Sequence, residues 1–171
     1  MPPPNKDAGS PARNDRSEFR QALLQNKERV TAAIPFIREI GFQILDADDT
    51  TLFGVLPYRE HLVGDPETGV VAGGVITTML DSMCGLSCAL RLKSVLQVAT
   101  LDLRIDYMRP AKPHVDILAE AECYHTTRSV CFTRAIAYQG ERTRIVASAA
   151  GAFAITGDAA RRDLAAGGGA R

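Results

Sequence analysis

The chain has no excess charge of either sign: twenty Lys and Arg balance twenty Asp and Glu, with no block of like charge. Nucleic acids and anionic membranes are bound through clustered basic residues, so neither is expected as the main partner. There is no Gly-rich phosphate loop and no Gly-x-Ser-x-Gly elbow, which argues against nucleotide hydrolysis and against serine hydrolase chemistry. The histidines, His61, His114 and His125, are too scattered for a ligand set, and no metal site is expected. The N-terminal residues mix Pro2 to Pro4 with Lys6, Asp7, Arg13 and Asp15 and lack the apolar stretch of a signal peptide. The apolar run from Ile145 to Ile155 is too short to span a bilayer. Cysteine is sparse. Cys84, Cys88, Cys123 and Cys131 all sit in apolar or strand-like surroundings, which reads as reduced core thiols in a cytoplasmic protein rather than as a disulfide framework. Cys84 and Cys88 share a helix face, but without further Cys or His at metal spacing they do not define a zinc site.

What the chain does have suits one soluble domain with a real core: 171 residues, 46% of them hydrophobic. Residues 1–17 are rich in Pro, Asn, Asp, Ser and Gly and read as a disordered tail, as do residues 158–171, leaving a domain over 18–157. Phe19, Leu23, Val30, Ile34 and Ile37 recur at helical spacing between Ser17 and Arg38, with Pro35 kinking or splitting the helix. Two short strands are expected at 41–45 and 51–56, followed by a loop marked by Pro57 and Val63-Gly-Asp-Pro66. Four more follow at 97–108, 115–124, 129–138 and 143–155. In the first of these Leu101, Leu103, Ile105 and Tyr107 alternate with Asp102, Arg104 and Asp106, as one buried and one wet face require.

Between the two groups of strands lies an apolar helix. From Gly69 to Leu90 its one charge-bearing side chain is Asp81. A helix apolar on nearly every side is expected inside the protein, where an unpaired carboxylate costs several kcal/mol, so Asp81 is a candidate functional group. A lone buried helix with two strands before it and four after is most simply wrapped by one antiparallel sheet, an α+β hotdog architecture.

Gly73-Gly74 opens that helix. Glycine allows close approach to the backbone, and the free N–H groups of a helix N-terminus suit a carbonyl oxygen gaining negative charge. Gly73 and Asp81 are eight residues apart, about 12 Å along a helix axis, too far to bracket one carbonyl. Two chains paired about a two-fold axis with antiparallel helices would bring Gly73 of one near Asp81 of the other. A homodimer, or a dimer of dimers, is therefore expected. Arg109, Lys112 and Arg128 fall at strand ends, where they could hold phosphates or simply face solvent.

The pattern Gly73-Gly74, Asp81 and Gly85, then Ala99-Thr-Leu-Asp-Leu-Arg-Ile-Asp-Tyr-Met-Arg-Pro-Ala111 and Arg128-Ser129, resembles the phenylacetate-degradation branch of the hotdog thioesterases, over about residues 35–155. The resemblance implies hydrolysis of acyl-CoA thioesters without a cofactor. Gly73 would supply the oxyanion N–H, Asp81 would act as general base or nucleophile, and Thr100 would help hold the attacking water. Gly74, Asp65, Met108, Arg109, Arg128 and Ser129 are the candidate substrate contacts. Two positions depart from the family pattern: Ala72 stands where His is common, and Asp65-Pro66 where an Asn is common.

Two other readings remain at the level of sequence. A hotdog protein that binds acyl-CoA without turnover is favoured by the missing His and Asn, whereas an enoyl-thioester hydratase would want the missing His. Asp81 itself could be a structural carboxylate satisfied by Thr78 or Ser82. Met79, Met83 and Leu86 read as core, or as the lining of an acyl tunnel.

Overall fold

The computed structural model describes residues 11–93 and 98–156. The amphipathic segment expected as a helix kinked or split at Pro35 is split, into three: α1 (Pro11–Gln25), α2 (Lys27–Ala32) and α3 (Pro35–Ile40). Helix α1 begins at residue 11, inside the stretch expected to be a tail, whereas the expected tail over 158–171 lies outside the described residues. Pro35 opens α3 rather than kinking a longer helix, because a proline in the first turn gives up an N–H that would have no helical partner. The helix closes at Gly41, whose φ of 73° is the left-handed conformation glycine tolerates best. Leu23, Ile37 and Ile40 are buried.

Strands β1 (Gln43–Ala47) and β2 (Thr51–Leu56) form a hairpin. The segment expected as a loop contains β3 (Val63–Asp65) and β4 (Val70–Val71), a two-stranded ladder that leads into α4 (Gly73–Leu92). Then come β5 (Val98–Tyr107), β6 (Ile117–Thr126), β7 (Val130–Tyr138) and β8 (Ile145–Ile155). The main sheet runs β1-β2-β6-β7-β8-β5, antiparallel throughout, with β5 at an edge. This six-stranded sheet around one long helix is the hotdog fold.

The sheet is paved with small side chains where α4 lies on it. Ala119, Ala121, Ala135, Ala137, Ala147 and Ala149 are all buried, and Ile76, Met79, Leu80, Met83, Cys84 and Cys88 of α4 fill the space above them. Bulky side chains on the helix against small ones on the strands let the two backbones approach without leaving voids. Gly54 of β2 completes the seat: a Cβ there would lie 2.6 Å from the Phe42 ring and 2.8 Å from the Met83 sulfur. By length and composition α4 could also cross a bilayer, but its most apolar side is packed on the sheet.

Two expectations are corrected. Helix α4 is not buried all round: the sheet covers one side, and Thr77, Thr78, Asp81, Ser82, Gly85 and Leu86 are only half-buried. Nor does β5 have one clean inward face. Leu103 and Ile105 are half-buried, but Leu101 is 60% exposed and Tyr107 51%. A bulge between Thr100 and Asp102 breaks the alternation, and an edge strand has a neighbour on one side only.

Candidate active site

The β3–β4 ladder fixes where α4 begins. Ala72 N–H donates to Leu62 O at 2.9 Å, and Val75 N–H returns to Ala72 O at 3.0 Å. Ala72 makes no side-chain cap, so nothing from that residue covers the helix end. Gly73 and Gly74 are exposed, and their N–H groups have no carbonyl of their own helix to bond. A Cβ on Gly74 would meet nothing within 4 Å. One on Gly73 would lie 3.2 Å from the Tyr107 hydroxyl oxygen.

That hydroxyl was not singled out from the sequence, where Tyr107 counted as an inward-facing strand residue. It donates to Gly73 O at 2.6 Å and lies 2.7 Å from Thr77 Oγ1. Because the tyrosine has one proton and directs it at the carbonyl, Thr77 is the donor of the second bond. The signal available was weak: a tyrosine at a strand end needs a partner for its hydroxyl, but sequence does not say which.

Midway along α4, Thr100 of β5 donates its hydroxyl to Asp81 Oδ1 at 2.8 Å. The neighbours that might have served Asp81 are engaged elsewhere, Thr78 Oγ1 with Gly74 O at 2.9 Å and Ser82 Oγ with Thr78 O at 2.8 Å. Asp81 is thus neither deeply buried nor unpartnered, and its partner comes from the strand rather than the helix.

Gly73 with Tyr107 and Asp81 with Thr100 form two separate clusters in one chain, about 12 Å apart along the helix axis. A cavity of about 340 Å³ lies at the Gly73 end, lined by Val71, Gly73, Ile76, Tyr107, Met108 and Arg109. Arg109 also lines a second cavity of about 440 Å³ with Lys112, Gln139, Glu141 and Arg144. Arg144 was not anticipated, and its Nε is buried with no partner among the described residues. Arg128 and Ser129 lie in the turn before β7, which Thr127 Oγ1 closes by accepting from Val130 N–H at 3.0 Å. Cys131, Phe153 and Thr100 are in register across β7, β8 and β5, so that turn belongs to the Asp81 end of the sheet. Asp65 is exposed in the β3–β4 turn. The Thr68 hydroxyl, at 2.6 Å, and then the Glu67 N–H, at 3.1 Å, hold its carboxyl below the usual range.

The thiols are arranged differently from the helix-face pair suggested by sequence. The sulfurs of Cys88, Cys123 and Cys131 lie within 4.8 Å of one another and are buried, while Cys84 stands apart from that group. The neighbouring Cys88 thiol draws the Cys123 pKa down, against the effect of burial. Burial pushes Cys84 up to about 11. His114 packs on Tyr58 and His125 on Phe132.

Comparison with known proteins bears on the family and the fold. The model of a family described as the thioesterase superfamily matches residues 68–146. A solved protein of Pseudomonas aeruginosa is 39% identical with a TM-score of 0.64, covering 84% of this chain and 98% of its own. A variant of the phenylacetic acid degradation protein PaaI of Thermus thermophilus has a TM-score of 0.62 over 72% of this chain and all of its own; at 21% identity it bears on the fold alone. A Halobacterium salinarum protein named as an esterase is 36% identical over 85 residues, 48% of this chain and 55% of its own length. The chain therefore spans about half of that curated relative. This chain belongs to the hotdog-fold thioesterase superfamily.

Proposed function

We propose that the protein hydrolyses acyl-CoA thioesters to the free acid and CoA, at sites shared between two protomers. The observation that carries the reading is the pairing of two incomplete clusters on one helix. One end offers backbone donors at Gly73 and Gly74 that no carbonyl of their own helix can take, beside a cavity, and the other a carboxylate, Asp81, held by Thr100. Neither cluster can carry out hydrolysis alone. An antiparallel two-fold pairing of α4 supplies each thioester with the donors of one chain and the carboxylate of the other. The exposed apolar residues Leu101 and Met108 near the unpaired edge of β5, with the half-covered side of α4, favour such a pairing.

In this site the thioester oxygen rests on the α4 N-terminus, where the N–H groups and helix dipole stabilise the negative charge that develops on it. Asp81 activates water or attacks the carbonyl itself, and Thr100, bonded to one carboxylate oxygen, fixes its rotamer and the position of the water. The Arg109 side chain lines both cavities, so a substrate with its acyl thioester near Gly73 would extend its phosphates toward Lys112 and Arg144. Arg128 and Ser129 of the partner chain would flank the same substrate from the Asp81 side. The cytoplasm is the proposed location.

The test is release of free CoA thiol from short, medium, long and aryl acyl-CoA substrates. Turnover on any of them supports the reading. Saturable acyl-CoA binding without thiol release would replace it with the non-catalytic reading, which the Ala72 position favours because no side chain there reaches the helix end.

A further inference from the structure

We infer that Tyr107, backed by Thr77, is a positioning residue that aims and strengthens the Gly74 N–H as a second donor to the substrate oxygen. The inference rests on the thioesterase reading of the site. Its geometric basis is the bond from the Tyr107 hydroxyl to Gly73 O at 2.6 Å, supported by Thr77 Oγ1 at 2.7 Å.

Gly73 C=O and Gly74 N–H belong to one planar peptide group, and the described residues contain no cis peptide bond. In a trans peptide the N–H points opposite to the carbonyl, so a clamp on Gly73 O also fixes where the Gly74 N–H points: out of the helix end. A hydrogen bond accepted at the carbonyl polarises the peptide and makes its N–H a better donor, and the bond from Thr77 to the tyrosine oxygen extends that chain by one link. Gly74 is exposed and open on the side a Cβ would occupy, so a substrate oxygen can reach its N–H.

The clamp also gives a reason for glycine at 73. A Cβ there would crowd the tyrosine at 3.2 Å from its oxygen and 3.4 Å from its ring carbon Cζ, so a side chain would push the clamp away from the carbonyl it holds. Thr77 sits one helical turn further on, where its hydroxyl reaches the same oxygen.

The experiment is Tyr107→Phe in the full chain, with Thr77→Val as a companion that leaves the tyrosine in place. Removing an oxyanion donor outright costs about a hundredfold or more in turnover; weakening and loosening one should lower kcat by about tenfold. KM should change little, because the developing charge, not the ground-state substrate, feels the loss. Thr77→Val should do the same to a smaller degree, and the double variant should be no worse than Tyr107→Phe alone, since both act through one hydroxyl. The backbone amide of Gly74 is read in parallel by NMR: its proton resonance should move upfield and its exchange quicken in Tyr107→Phe. A Tyr107→Phe protein with wild-type kcat overturns the inference. If the wild-type protein releases no thiol, the thioesterase reading fails, and an unmoved Gly74 amide then overturns the clamp on its own. Should Tyr107→Phe not fold, the same two readouts on Thr77→Val decide.

Discussion

The two clusters on α4 are built from opposite materials. At the N-terminus the proposed reactive groups are backbone amides, exposed by glycine and held in place by a tyrosine from the edge strand. At mid-helix the proposed reactive group is a side chain, Asp81, held by a threonine from the other end of the same strand. Strand β5 thus braces both, once through Tyr107 and once through Thr100. A single edge strand sets the geometry of the proposed electrophile-binding half and the proposed base-bearing half. In the proposed dimer a two-fold axis is enough to join them.

If the halves differ as described, the largest effect falls on the carboxylate. Asp81→Asn keeps volume and can still accept from Thr100, so turnover should drop by about a hundredfold or more. Melting temperature should stay near wild type, because Asp81 is half-buried and hydrogen-bonded rather than a strained interior charge. Near wild-type hydrolysis by folded Asp81→Asn would remove the base-bearing half. Mixing sharpens the comparison. Gly73→Val and Asp81→Asn proteins, each nearly inactive alone, should recover roughly a quarter of wild-type activity when refolded together, since half the dimers are mixed and each has one intact site. No recovery would place both halves of a site in one chain. Thr100→Val removes the hydroxyl that holds Asp81 and should reduce kcat by about tenfold, less than loss of the base itself. The smallest effect belongs to Arg109→Ala, which should raise KM for acyl-CoA a few-fold and leave a short thioester lacking the nucleotide unaffected. Equal changes for both substrates would detach Arg109 from the phosphates.

The base-bearing half was the more legible in sequence, and the reason is physical. A single carboxylate in an apolar helix stands out by residue type, and β2 was found at its observed limits of Thr51–Leu56 because its alternation and flanking turn residues are local signals. The partner of Asp81 is a contact across nineteen residues, so Thr100 could be assigned only by resemblance. How deeply Asp81 is buried depends on how many elements cover α4, which periodicity does not encode; an apolar helix reads the same whether one side or every side is packed. The donor half was harder still. The glycine pair was visible, and the hydroxyl that holds it comes from a residue whose period-two position does point toward the helix, but nothing in residue type says that a carbonyl at the helix end is its partner. The β3–β4 ladder was missed for a similar reason, since its Gly, Asp and Pro residues read as loop.

The alanine paving beneath α4 has a consequence for how this protein could change its diet. Met79 and Met83, read from sequence as possible lining for an acyl tunnel, are fully buried against that paving, whereas Met108 is 57% exposed and Leu86 half-buried. In the proposed site, selectivity for one acyl group over another then lies on surfaces the core does not use, so substitutions there can retune it without disturbing the packing that keeps the domain folded.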